Sequence, residues 1–98
     1  METELITISE YCVTYSVEPK FTGDLEEAGL IVLTIIDDNK YIHFKQLEEM
    51  ERFIHFHYDL QINIAGIEAI VNLLHKVKRL QHEIEVLKSQ VHLHEPGA

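Results

Sequence analysis

Seven histidines, one cysteine and several pairs of adjacent acids are the side chains of this chain that could do chemistry. His55 and His57 are two residues apart, so on a helix they point about 200° from each other and cannot share a metal ion. His75 and His82 lie one heptad apart, too far for a common ion, and His92 and His94 sit close to the C-terminus. The histidines therefore read as surface or edge residues. Cys12 is expected on the inner side of a helix, where a buried thiol packs as a small apolar group. No base near it is identifiable, so it lacks what a nucleophile needs. Gly23, Gly29, Gly66 and Gly97 are scattered rather than gathered into a phosphate-binding loop. The pairs Glu26-Glu27 and Glu48-Glu49 diverge in direction on a helix and read as solvated charge. The expectation is a protein with no catalytic residues, no cofactor and no metal.

The acids carry more information by placement than by chemistry. The chain has 98 residues and a formal net charge of −9, a length that allows one domain with an appended helix. Residues 1–50 hold three basic residues (Lys20, Lys40, Lys45) and eleven acidic ones, a net of −8; the remainder carries −1. Like charge repels the phosphate backbone, so nucleic acid is a poor partner for the first half and a basic protein surface a good one. Apolar residues make up 46% of the chain, near the globular average, and no run approaches the ~18 residues of a membrane span. The acidic start Met1-Glu2-Thr3-Glu4 lacks the basic opening of a secretion signal. With a single cysteine, no internal disulfide is possible. A cytoplasmic location, away from membranes, is expected.

The elements that must position these acids follow from local signals. Thr7-Ile8-Ser9-Glu10 is a capping box, flanked by Ile6 and Tyr11 as a hydrophobic staple, and starts a helix over 8–15 with Ile8, Tyr11 and Cys12 inward. After a break near Ser16 and Val17, Pro19 opens a second helix through Ala28, closed by Gly29. The two make a helix-turn-helix. Leu30 to Ile36 reads as a strand, Asp37-Asp38-Asn39 as its turn, and Lys40-Tyr41-Ile42 as the return strand of a short β-hairpin wing. From Phe44 the period returns to helix, with Leu47, Met50, Ile54 and Tyr58 on one face, broadened by Phe53 and Phe56. Asp59 to Ile62 is a connector, and Asn63 caps the last helix.

That helix carries Ile70, Leu73, Val77, Leu80, Ile84, Leu87 and Val91 at alternating spacings of three and four. Its a positions are all β-branched and its d positions are Leu through residue 87; His94 takes the next d position, and Pro96-Gly97 ends the helix. This choice favours two-stranded coiled coils. The rest of the chain is too short to cover the seam, so these seven residues are assigned to a homodimer contact. Lys76 and Glu83 both fall at g positions, which face each other in an antiparallel pair. The division expected is 1–62 for the winged head and connecting helix, and 63–95 for the dimerising helix.

The order helix-turn-helix, wing, helix, coiled coil resembles the MerR-type regulators. Within them the chain resembles the CbpM-like chaperone-modulator family. The resemblance rests on Ile6-Thr7-Ile8-Ser9-Glu10-Tyr11-Cys12 and on Leu25-Glu26-Glu27-Ala28-Gly29-Leu30-Ile31. Its most specific part is His57-Tyr58-Asp59-Leu60-Gln61-Ile62-Asn63-Ile64-Ala65-Gly66-Ile67-Glu68. It implies a mostly α protein with a MerR-like winged helix-turn-helix head. It further implies binding to a J-domain co-chaperone of the CbpA/DnaJ type, which restrains that protein's action on Hsp70. DNA-binding MerR proteins resemble one another in an Arg-Tyr-rich recognition helix and an Arg-rich wing. Here the second helix and its cap offer Glu18, Asp24, Glu26 and Glu27 against Lys20, and the wing offers Asp37 and Asp38 against Lys40. J-domains resemble one another in a basic second helix, so the candidate partner-binding acids are Asp24, Glu26, Glu27, Glu48, Glu49 and Glu51. Phe53 and Phe56 are candidate apolar anchors with a competing role in the core. The competing class is a DNA-binding transcription regulator that uses Arg52, Lys76, Lys78 and Arg79.

Overall fold

A computed structural model describes residues 4–93, with side chains through residue 91. The sequence expectations at Met1-Glu2-Thr3, His94 and Pro96-Gly97, and the side chain of His92, lie outside the described residues. The chain is mostly helical with one small antiparallel sheet. It divides into two compact units, one through Glu68 and one from Ala69 onward.

The first unit begins with β1 (Leu5–Thr7), a strand the sequence did not announce. Three residues give too short an alternation to recognise, and β1 exists because the central strand of the sheet offers it a partner. Helix α1 (Ile8–Tyr15) starts where expected, with the Thr7 hydroxyl accepting from the Glu10 amide at 3.1 Å. It ends on Ser16, whose φ of +54° lets the Val17 amide reach back to the Cys12 carbonyl at 2.9 Å. Helix α2 (Pro19–Glu27) closes on Gly29 at φ +78°; the Leu30 amide bonds the Leu25 carbonyl, and the Gly29 amide bonds that of Glu26. This is the two-bond left-handed cap that glycine makes at little steric cost.

The sheet runs in the order β1-β3-β2, all antiparallel, with β2 (Leu33–Ile36) and β3 (Asn39–His43) joined through Asp37-Asp38. Two expectations are corrected here. The strand starts at Leu33, not Leu30, because Leu30 is used in the α2 cap and Ile31 turns into the core. The turn has two residues instead of three, both at positive φ (+50° and +68°), the backbone that matches the twist of a tight hairpin. Asn39 therefore belongs to β3, opposite Ile36.

Phe44–Gln46 forms a 3-10 turn, α3 spans Leu47–Ile54, and a π-helical turn follows over His55–Asp59. The expected uninterrupted helical face is thus re-aimed. Met50 and Phe53 are buried, Leu47 and Ile54 are half-buried, and Tyr58 is exposed. Phe53 is 1% exposed and is no surface anchor; Phe56 is half-buried. The core joins Tyr11, Cys12, Val17, Phe21, Leu25, Ile31, Ile42, Met50, Phe53 and Ile67. It draws on all three helices, the sheet and the start of the last helix.

Helix α4 (Ile64–Leu93) opens on Asn63, whose side chain accepts from the Gly66 amide at 2.8 Å. In the second unit it is an unaccompanied helix with its apolar seam in solvent. Exposure runs from 46% at Leu80 to 64% at Val91 through Leu73, Val77, Ile84 and Leu87, and Ile70 is half-buried. No helix among the described residues is long and apolar enough to cross a membrane.

Candidate functional site

The acidic side chains of the head sit on two helices and a turn. Pro19 pre-sets the first turn of α2, and Phe21, Thr22 and Leu25 bury its inner face. The remaining positions, among them Lys20, Asp24, Glu26 and Glu27, are thereby carried toward the outside. Glu27 is exposed, while Asp24 and Glu26 are half-exposed. Each of the latter two holds a lysine. Lys20 Nζ lies 3.3 Å from Asp24 Oδ2, one helical turn away, and Lys40 Nζ lies 3.0 Å from Glu26 Oε1, from β3 across to α2. Surface pairs of this kind add only about 0–1 kcal/mol to stability. Their electrostatic consequence is local: each sets the one lysine of α2 or of the hairpin beside one carboxylate, so the pair adds no net charge to the surface.

Glu48 and Glu49 occupy the first turn of α3, where the positive end of the helix dipole favours them, and Glu51 follows. All three are exposed. Asp24 and Glu27 also line a shallow depression of about 320 Å³ with Ala28 and Ile64. Asp37 and Asp38 form the exposed tip of the hairpin.

Two contacts that hold α2 in place had no sequence signal. The Tyr58 hydroxyl accepts from the Glu18 amide at 3.0 Å, at a helix start that has no side-chain cap of its own. His57 stacks on Phe21 with ring centroids 4.3 Å apart and a 15° interplanar angle, and its Nδ1 lies 3.1 Å from the Ile62 carbonyl oxygen. His55 instead pairs with Asp59 at 2.8 Å in solvent, so the two histidines diverge as their spacing predicts. Among the described residues no group of three or more His, Cys, Asp or Glu is placed to hold a metal ion.

Cys12 is buried and faces Thr22, with Sγ 3.9 Å from Oγ1, while Thr22 donates to the Pro19 carbonyl at 2.8 Å. It borders a pocket of about 250 Å³ lined mainly by apolar side chains of α1 and α2. Tyr11 is 1% exposed and its hydroxyl has no partner among the described residues. Burial, with smaller contributions from Tyr15, Glu51 and Cys12, pushes that hydroxyl up to about 12. None of these groups forms a nucleophile–base pair.

The candidate acids thus lie on the outer side of α2, within the helix-turn-helix, and separately on α3, and comparison with known families agrees with the helix-turn-helix architecture. The profile of the MerR HTH family regulatory proteins matches residues 6–89. The chain belongs to this MerR HTH family. No curated protein and no solved structure was found to match it. The family accounts for the helix-turn-helix of α1 and α2, and it describes a regulator. The acids of α2 and the pairing of its lysine are read from this chain's own residues. On a helix-turn-helix, the second helix is the one that enters the major groove of DNA.

Along the second unit, Glu83 is held by Arg79 at 3.7 Å within the same helix. The a and d residues form the continuous exposed stripe already described.

Proposed function

We propose that the protein is a non-catalytic chaperone modulator, similar to the CbpM-like members of its family. It binds the J-domain of a cytoplasmic CbpA/DnaJ-type co-chaperone and restrains that protein's action on Hsp70. One observation carries the reading: Lys20 and Lys40 each stand beside an acid, Asp24 and Glu26, while Glu27 on α2 and Glu48, Glu49 and Glu51 on α3 are exposed outside these pairs. Phosphate contact requires an excess of cations, and an excess of acids repels it. The surviving charge on α2 and α3 is anionic and suits the basic second helix of a J-domain. Asp24, Glu26, Glu27, Glu48, Glu49 and Glu51 are the proposed contacts. They steer encounter and select the partner more than they supply affinity.

Two copies associate in this reading through Ile70, Leu73, Val77, Leu80, Ile84, Leu87 and Val91, antiparallel, with Lys76 of one copy facing Glu83 of the other. Disulfide scanning tests the orientation. Lys76→Cys should link to Glu83→Cys of the second copy in preference to its own equivalent.

Charge reversal of Glu26 and Glu27 to Lys tests the partner. J-domain affinity should fall about tenfold at low salt and the difference should shrink at high salt. Unchanged affinity at low salt removes these two residues from the interface. The second reading, a DNA-binding regulator, is favoured by the HTH family match itself. It places contact on Arg52, Lys76, Lys78 and Arg79.

A further inference from the structure

β2 is the outer strand of the sheet, and its free edge has an ordered set of hydrogen-bonding groups. In a two-residue hairpin the residues flanking the turn bond each other, and bonding then alternates along the strands. Ile36 pairs with Asn39 and Thr34 with Tyr41 in the hydrogen-bonding positions, so Leu33 and Ile35, opposite Ile42 and Lys40, direct their amides and carbonyls outward. Val32 confirms the alternation. Its inward amide donates to the Gln46 side-chain oxygen at 2.9 Å, and its carbonyl accepts from the Gln46 side-chain amide at 2.7 Å. Gln46 thus extends the inner ladder by one step. The outer side of Leu33 and Ile35 has no partner among the described residues.

Sheet edges of soluble proteins are ordinarily guarded by lysine, proline, a bulge or a covering element. β2 is short, at four residues, but among the described residues it has no lysine, proline, bulge or covering element: its sequence is Leu-Thr-Ile-Ile, preceded by Val32 at 70% exposure, with Ile35 at 63%. The nearest charges along the chain are Asp37 and Asp38, and the single hairpin lysine is occupied by Glu26. We propose that the β2 edge is a docking site for an extended, cationic peptide segment whose apolar residues alternate with Lys or Arg. Such a segment would add a fourth strand against Leu33 and Ile35. Charge selects this occupant. A second copy would bring two strongly acidic heads together, and a nucleic acid would bring phosphate to the same acids. The site is independent of the J-domain reading and stands or falls separately from it.

The test uses the intact protein and a short synthetic peptide alternating Val with Lys and Arg, titrated while backbone amide shifts are followed by NMR. The Leu33 and Ile35 amides should move most. Of two peptides N-methylated on alternate amides, one should bind about tenfold more weakly, because it loses the bonds to the edge, and the other should stay within about twofold. A Val/Glu peptide should bind at least about tenfold more weakly than the Val/Lys one. Ile35→Pro removes one outward amide and leaves the β2–β3 ladder intact. It should weaken the parent peptide while the Tyr41 and Lys40 amides keep their shifts. Equal binding of both methylated peptides or of the Val/Glu peptide, or shifts centred on α2 or α3, would overturn the proposal. So would an edge that yields only self-association sensitive to Ile35→Pro.

Discussion

The two units bury their apolar side chains in opposite ways. Through Glu68, large side chains from α1, α2, β3, α3 and the start of α4 close on one another, and Leu25, Ile42, Met50 and Ile67 are 0% exposed. From Ala69 onward, equally apolar residues recur with equal regularity and remain in solvent. The units differ in charge as well: residues 1–68 carry a net −10 and residues 69–98 a net +1. Hydrophobic pattern alone does not say where a residue is buried. In the head the same chain supplies the burial; along the helix the proposed second copy would supply it.

Substitutions on each side sharpen this contrast. The largest effect is expected from Leu80→Glu, which puts a charge in the middle of the seam. Sedimentation should show self-association weakened about a hundredfold or more, with the head's tyrosine circular dichroism unchanged. Loss of head structure at the same time would mean the head depends on the seam. Leu25→Ala is the converse. It should cost the head about 2–5 kcal/mol in denaturant unfolding while leaving self-association intact.

A smaller effect attaches to Tyr11. Its hydroxyl, raised to about 12 in the fold, ionises near 10 in the unfolded chain. Unfolded molecules therefore release the proton first. Stability is complete below about pH 10 and declines as pH rises toward 12, by about 2–3 kcal/mol in all. Tyr11→Phe should abolish this part of the alkaline loss and be neutral or mildly stabilising near pH 7, since it deletes an unpartnered buried hydroxyl. An unchanged alkaline profile would assign the loss elsewhere. The smallest effect belongs to Ser16→Gly, which relieves a left-handed serine at φ +54° and should stabilise the head by about 1 kcal/mol in the same unfolding measurement.

Local chemistry was the legible part of the fold. Thr7, Pro19, Gly29 and Asn63 act on backbone within a few residues, so the bounds of α1, α2 and the start of α4 follow from the sequence. Three features were not legible. β1 needs β3 to exist, the Gln46 side chain grips Val32 fourteen residues away, and the π-helical turn re-aims Tyr58 and His57 onto α2. Each depends on a partner distant in sequence. The acids of the site were visible as composition. That Lys40 would spend itself on Glu26 was not, because the hairpin register decides which side Lys40 faces.

The central claim is that an HTH scaffold of this family here presents its acids to a protein instead of presenting cations to DNA. Immobilised protein, offered a J-domain co-chaperone and genomic DNA fragments in parallel at low and high salt, tests it most directly. The account predicts capture of the co-chaperone, reduced J-stimulated Hsp70 ATPase in its presence, and no DNA retention above a blank. DNA retained at low salt and released steeply as salt rises, with the J-domain ignored, would contradict it.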